Sequence, residues 1–147
     1  MSRADQVDYV SRELPSRAGL LPRLLVRPLH AQLSRSEAGL LSTLRAGPRR
    51  ITELAELEGL AQPTTTLLVK RLEQQGLVLR ERQADDGRVV VAHLTEAGDA
   101  ALDALIGQVR VALREHLAET SDEEIAAFAA ATEALGRLIA VLQRAAP

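Results

Sequence analysis

Seven side chains between positions 62 and 71 combine the chemistries that read base edges and phosphates: Gln62, Pro63, Thr64, Thr66, Leu67, Lys70 and Arg71. A Gln amide can bond adenine in a bidentate manner, Thr and Leu can meet a thymine methyl, and Lys or Arg can meet phosphate or guanine. These seven remain outward once Thr65, Leu68, Val69 and Leu72 are set aside. Those four recur at i, i+3, i+4 and i+7 and form one apolar stripe of a helix. Polar helix faces are common, so the face alone also fits an ordinary solvated helix. A second group follows it. Arg82 and Arg88 flank the acidic turn Ala84-Asp85-Asp86-Gly87, and Asp86, two residues before Arg88, is placed to orient its guanidinium. An Arg so held suits a minor groove narrowed by A·T sequence. The plain alternative is a turn in which Asp-Gly supplies positive φ and the charges give solubility.

The elements that must position these residues are legible around them. Pro63 falls in a helix's first turn, where its missing N–H costs nothing, and Gly76 sits where a helix end needs positive φ. The period then changes. Leu77-Val78-Leu79 and Val89-Val90-Val91 lie either side of the charged turn, as in a β-hairpin. A helix followed by a hairpin flanked with basic residues is the layout of a winged helix-turn-helix. Its helix enters a DNA major groove and its hairpin tip reaches into the minor groove. Upstream, Ser34 and Glu37 form a capping box for a helix burying Leu40, Leu41 and Leu44, which stops at Gly47 and Pro48. Arg49, Arg50 and Ile51 form a stub, at most one short strand. Thr52 is a good N-cap for a helix over 53–58 with Leu54, Ala55 and Leu57 inward. Gly59 ends it, and two short helices joined by a Gly-containing turn make the helix-turn-helix.

The chain ends read as helical. Residues 1–5 are expected to fray. Residues 7–33 are rich in apolar side chains but interrupted by Pro15, Pro22 and Pro28. Each interior Pro costs a helix about 3 kcal/mol, so short helical pieces are expected. Thr95 can cap a helix over 96–119 with Leu102, Leu105, Ile106, Val109 and Leu113 as its stripe. Ser121 and Glu124 open a last helix, on which Ile125, Phe128, Thr132, Leu135, Ile139 and Leu142 fall at heptad a and d positions. Such a seam packs on a partner helix, either as intramolecular core or as a dimer interface.

Composition removes several classes of function. At 147 residues the chain is one domain able to bury its own core. With one Phe, one Tyr and no Trp it lacks the aromatic platforms of single-strand binders. The lack of cysteine excludes disulfides, zinc fingers and thiol chemistry. No apolar run approaches a membrane span and no signal peptide opens the chain, so a cytoplasmic protein without membrane contact is expected. The net charge of −2 is unevenly spread. Residues 1–44 carry net +2, residues 45–94 net +1 and residues 95–147 net −5, which leaves modest attraction to phosphate where DNA would bind. His30, His93 and His116 share no metal-like spacing and no acidic cluster accompanies them. No phosphate loop or hydrolase signature occurs. Neither metal, cofactor nor enzyme activity is expected.

At this point the chain resembles the MarR family of bacterial transcription regulators. The matching residues are Ile51-Thr52-Glu53-Leu54-Ala55, Leu72-Glu73-Gln74-Gln75-Gly76-Leu77-Val78 and Arg80. The most specific are Asp86-Gly87-Arg88 and Leu94-Thr95-Glu96-Ala97-Gly98. The resemblance spans residues 33–142 and departs where Ala61 replaces a capping Ser and where prolines interrupt a first helix that is continuous in relatives. It implies a homodimer built from both chain ends, palindromic duplex operators and often release by a small organic effector. The expected fold is mostly α with a small β-hairpin: a winged helix-turn-helix lobe over 34–95 and a helical dimerisation region from 1–33 and 96–147. A cleft between the two is implied, in which Arg23 or Arg27 could meet an anionic ligand; both serve equally well as surface charges. The other function class compatible with the chain is a winged-helix module that contacts proteins of the transcription machinery without sequence-specific DNA binding.

Overall fold

The computed structural model of the protein describes residues 1–26, 33–83 and 87–145. Its elements run α1 (Arg3–Val26), α2 (Arg35–Arg45), β1 (Arg49–Arg50), α3 (Ile51–Glu58), α4 (Gln62–Gln74), β2 (Val78–Arg82), β3 (Val90–Leu94), α5 (Glu96–Leu117) and α6 (Asp122–Ala145). The expected mostly helical fold with a small sheet is the fold observed. Contacts divide the chain into two units, Met1–Arg110 and Val111–Pro147.

Two expectations for the N-terminus are corrected. Residues 3–5, expected to be frayed, belong to α1, where Ser2 and Asp5 cap the helix reciprocally: the Ser2 N–H donates to Asp5 Oδ2 (2.8 Å) and the Asp5 N–H to Ser2 Oγ (3.2 Å). In place of short pieces, α1 is one helix of 24 residues with Pro15 and Pro22 inside it. Nearly all of α1 is exposed, so water can satisfy the carbonyls that each proline leaves without a donor. Pro28 lies outside the described residues.

The core of the Met1–Arg110 unit is built by α2, α3, α4, the sheet and the start of α5, with Leu40, Leu41, Leu54, Val69 and Leu72 fully buried. The α2 capping box forms as expected, with the Ser34 N–H on Glu37 Oε2 (2.8 Å) and the Glu37 N–H on Ser34 Oγ (3.3 Å). The expected Thr52 cap is displaced. Helix α3 starts at Ile51 with Arg50 as N-cap, whose N–H donates to Glu53 Oε2 (2.9 Å). The reason is β1, which pairs Arg50 with Val91 and so fixes where strand gives way to helix. Leu57, expected inward, is 63% exposed. Gly59 (φ 62°) and Gly76 (φ 75°) end α3 and the α4 turn in the left-handed conformation that favours glycine.

The hairpin is part of a three-stranded antiparallel sheet of order β1-β3-β2, with register from Val78↔Leu94 to Arg82↔Val90. Thr95 joins the sheet to α5. Its hydroxyl donates to the Gly76 carbonyl (2.7 Å) and accepts the Gly98 N–H (3.0 Å), while its own N–H donates to the Leu77 carbonyl (3.2 Å). Arg45 at the end of α2 holds the first turns of α5 through Asp99 (2.6 Å) and Asp103 (2.8 Å). On α5 the expected stripe is buried at Leu102 and Leu105, while Ile106 is exposed.

A further tie joins α4 to β2, where the Arg80 guanidinium donates to Glu73 Oε2 from Nη2 (2.6 Å) and Nε (2.7 Å). These hydrogen bonds, opposed by partial burial, hold the Glu73 carboxyl below its ordinary value. A carboxylate depressed in the fold adds stability above its unfolded pKa, and that stability is lost as pH falls through the folded value. Arg80→Ala is therefore expected to raise the Glu73 titration in an NMR pH series and to remove this part of the acid sensitivity. An unchanged Glu73 titration in the variant would show that Arg80 is not the cause.

In the Val111–Pro147 unit, Ser121 caps α6 by accepting the Glu124 N–H (3.3 Å) and donating to Glu124 Oε2 (3.1 Å). None of the described residues of α6 is buried. The helix has 24 residues, with an 18-residue stretch of mean hydropathy 1.7, long and apolar enough by length and composition to cross a bilayer. That corrects the expectation that no run approaches a span. The alanines between Ile125 and Leu142 make the difference. Glu133 and Arg137 still fall at the outer b and f positions of the heptad, so one face stays polar.

Candidate nucleic-acid interface

Helix α4 places the expected residues on one face. Thr65, Val69 and Leu72 are buried beneath it, and Gln62, Pro63, Thr64, Thr66, Leu67, Lys70 and Arg71 are all exposed. Five of them, Gln62, Pro63, Thr66, Leu67 and Lys70, line a single open depression of about 490 Å³. Leu67 is 67% exposed, an apolar contact suited to a thymine methyl. Ala61 supplies no side-chain cap. Backbone carbonyls of the first turn instead accept hydroxyls, from Thr65 to Ala61 (3.2 Å) and from Thr66 to Gln62 (2.9 Å). In this arrangement the Thr66 side chain offers an approaching base a methyl group and oxygen lone pairs.

Thr64 and Arg71 do not line the depression, and Arg71 has a partner on another helix. The Arg71 Nε lies 3.4 Å from Oε1 of the buried Glu37 on α2. Glu37 follows Ser34 at the capping position, and it also shares i, i+3, i+4 and i+7 spacing with Leu40, Leu41 and Leu44. That spacing, visible in the sequence, was the signal that its carboxylate would point into the core.

Arg82 ends β2, exposed, opposite Val90. Gly87 and Arg88 are exposed on the far side of the turn. Ala84, Asp85 and Asp86 lie outside the described residues, and with them the proposed Asp86–Arg88 contact. Arg23 is exposed in the last turn of α1, whereas Arg27 lies outside the described residues. His93 pairs with one carboxylate, its Nε2 lying 3.3 Å from Glu81 Oε2 across the hairpin. The described residues hold no group of three or more potential metal ligands.

A model of the MarR family matches residues 33–90, which include both helices of the helix-turn-helix, β1, β2 and the described part of the wing up to Val90. YwoH of Bacillus subtilis, an uncharacterized HTH-type transcriptional regulator, is 30% identical over 128 residues, covering 83% of this chain and 93% of that protein. The chain belongs to the MarR family. A second relative, the HTH-type transcriptional repressor MdtR of Bacillus subtilis, is 28% identical over 86 residues. That match spans 58% of this chain and only 56% of MdtR. Among solved structures, a MarR family protein from Bacillus stearothermophilus superposes with a TM-score of 0.67 at 27% identity, covering 95% of this chain and 99% of that one. The MarR fold thus extends over nearly the whole chain.

Proposed function

We propose that this MarR-family protein is a cytoplasmic homodimer that binds palindromic duplex operators in a sequence-specific manner and regulates transcription as a repressor released by a small organic ligand. The observation that carries the proposal is the exposed α4 face. It gathers an amide, a methyl-bearing hydroxyl, an apolar side chain and an ammonium in one open depression of a helix-turn-helix. Repression is supported by the similarity to MdtR, a transcriptional repressor. The dimer is supported by α6, whose apolar side chains Phe128, Ile139 and Leu142 are exposed on the single chain. Residues 34–95 then form the DNA-binding lobe, and residues 1–33 and 96–147 the dimerisation region. Arg82 and Arg88 are assigned to the backbone or minor groove beside the wing, with Asp86 orienting Arg88. Arg23 and Arg27 are the candidates for an anionic effector.

The test separates positioning from readout. Lys70→Ala is expected to weaken binding to every duplex and to lower the salt-dependence slope by about 0.9 if it meets one phosphate. Thr66→Ala is expected to cost about 1–3 kcal/mol on the selected operator and little on mixed-sequence DNA. Affinities equal to the parent for both variants on both duplexes would show that this face does not meet DNA.

A further inference from the structure

We infer that Glu37 is a positioning residue for DNA binding: the buried carboxylate on α2 holds the Arg71 guanidinium of α4 ready for a phosphate. The inference rests on the α4 face meeting DNA. Glu37 is 1% exposed. Its Oε2 serves the helix cap, accepting the Ser34 N–H. Its Oε1 is buried and, among the described residues, accepts no hydrogen bond. Burying a carboxylate is costly unless it is paired, and a cap does not need the charge, since glutamine fills the same capping position. What the charge can serve is Arg71, whose Nε is 3.4 Å from that oxygen.

The chemistry of arginine makes the pairing useful. A guanidinium carries five N–H donors in a rigid planar fork. A carboxylate beside Nε leaves donors on the opposite edge for another anion. The Arg71 side chain is 62% exposed while its partner is 2% exposed, so the pair spans from core to surface. A long side chain already restrained loses less freedom when it meets a phosphate.

The experiment measures affinity across a salt series for the full chain, with a duplex selected by the parent protein from a randomised pool and with a mixed-sequence duplex. Arg71→Ala is expected to weaken both about tenfold and to lower the salt slope by about 0.9 for one phosphate. Glu37→Gln removes a negative charge near DNA, so simple attraction predicts tighter binding. The expected result is several-fold weaker binding, with no further loss when Glu37→Gln is added to Arg71→Ala. Ser34→Ala, which weakens the cap and keeps the carboxylate, is expected to lower the melting temperature and leave the salt slope unchanged. Unchanged or tighter binding by Glu37→Gln, an undiminished effect of it in the Arg71→Ala background, or a changed slope in Ser34→Ala overturns the inference. If Arg71→Ala weakens binding and Glu37→Gln does not, the inference alone falls. If Lys70→Ala and Arg71→Ala both bind like the parent, the assignment of the α4 face falls and the inference with it.

Discussion

Leu135→Glu is expected to convert the protein to a monomer at micromolar concentration and, with the dimer, to remove tight operator binding. Leu135 is half-buried at the central d position of the α6 seam, between Phe128 and Leu142. An apolar face of this extent is unusual on a free surface. In a two-fold dimer each substitution appears twice. A buried carboxylate without a partner costs several kcal/mol, roughly 3–5 when a charge is left uncompensated. DNA binding falls with it because two linked half-sites gain about 10²–10⁴ in avidity over one. Sedimentation and operator affinity test this together, with circular dichroism to show that the variant remains helical. A helical Leu135→Glu protein that stays dimeric at parent affinity would remove α6 from the interface.

The elements that position the candidate site were legible because local and tertiary signals agree there. The α4 stripe of Thr65, Val69 and Leu72 is buried, so the residues left over define the exposed face. Gly59 and Gly76 stand where the backbone turns left-handed. Ser34 and Glu37 cap α2 as their spacing requires. The misses share a cause, a local rule applied without its surroundings. The proline penalty assumes that nothing else satisfies the freed carbonyls, yet α1 is exposed to water along nearly its whole length. Thr52 is the better capping residue than Arg50, but strand pairing of Arg50 with Val91 decides where α3 begins. Leu57 sits three residues after Leu54, yet Ile51, Leu54 and Ala55 set the buried face of this short helix. At 100° per residue, Leu57 falls about 110° from the centre of that face. The Glu37–Arg71 pair joins two helices far apart in sequence, and periodicity along either one cannot reveal it.

Gly98→Ala is expected to destabilise the Met1–Arg110 unit, against the direction that helix propensity predicts. Gly98 lies in the first turns of α5, where Ala is favoured over Gly by about 1 kcal/mol on propensity alone. A Cβ at Gly98 would fall 2.1 Å from the Leu77 carbonyl oxygen and 2.7 Å from Leu94 Cδ1. The leucine side chain can shift, but the carbonyl is less free to move. It accepts the Thr95 N–H and immediately precedes buried Val78, the first residue of β2. The helix is no freer to retreat, since Thr95 Oγ1 accepts the Gly98 N–H while donating to the Gly76 carbonyl. Relief therefore requires breaking the Thr95 junction or displacing the strand start. Overpacking of a well-packed site costs about 1–3 kcal/mol and occasionally more, and the contact with backbone places Gly98 at the upper end. The net loss expected is about 2 kcal/mol, a drop of roughly 4–8 °C in melting temperature for a chain of this size. Gly107→Ala in the same helix is the control, because a Cβ there meets nothing within 4 Å. It is expected to melt at or slightly above the parent temperature. If Gly98→Ala melts as high as Gly107→Ala, the contact between α5 and the Leu77 carbonyl does not limit what position 98 can hold, and the glycine of the Leu94-Thr95-Glu96-Ala97-Gly98 signature has another cause.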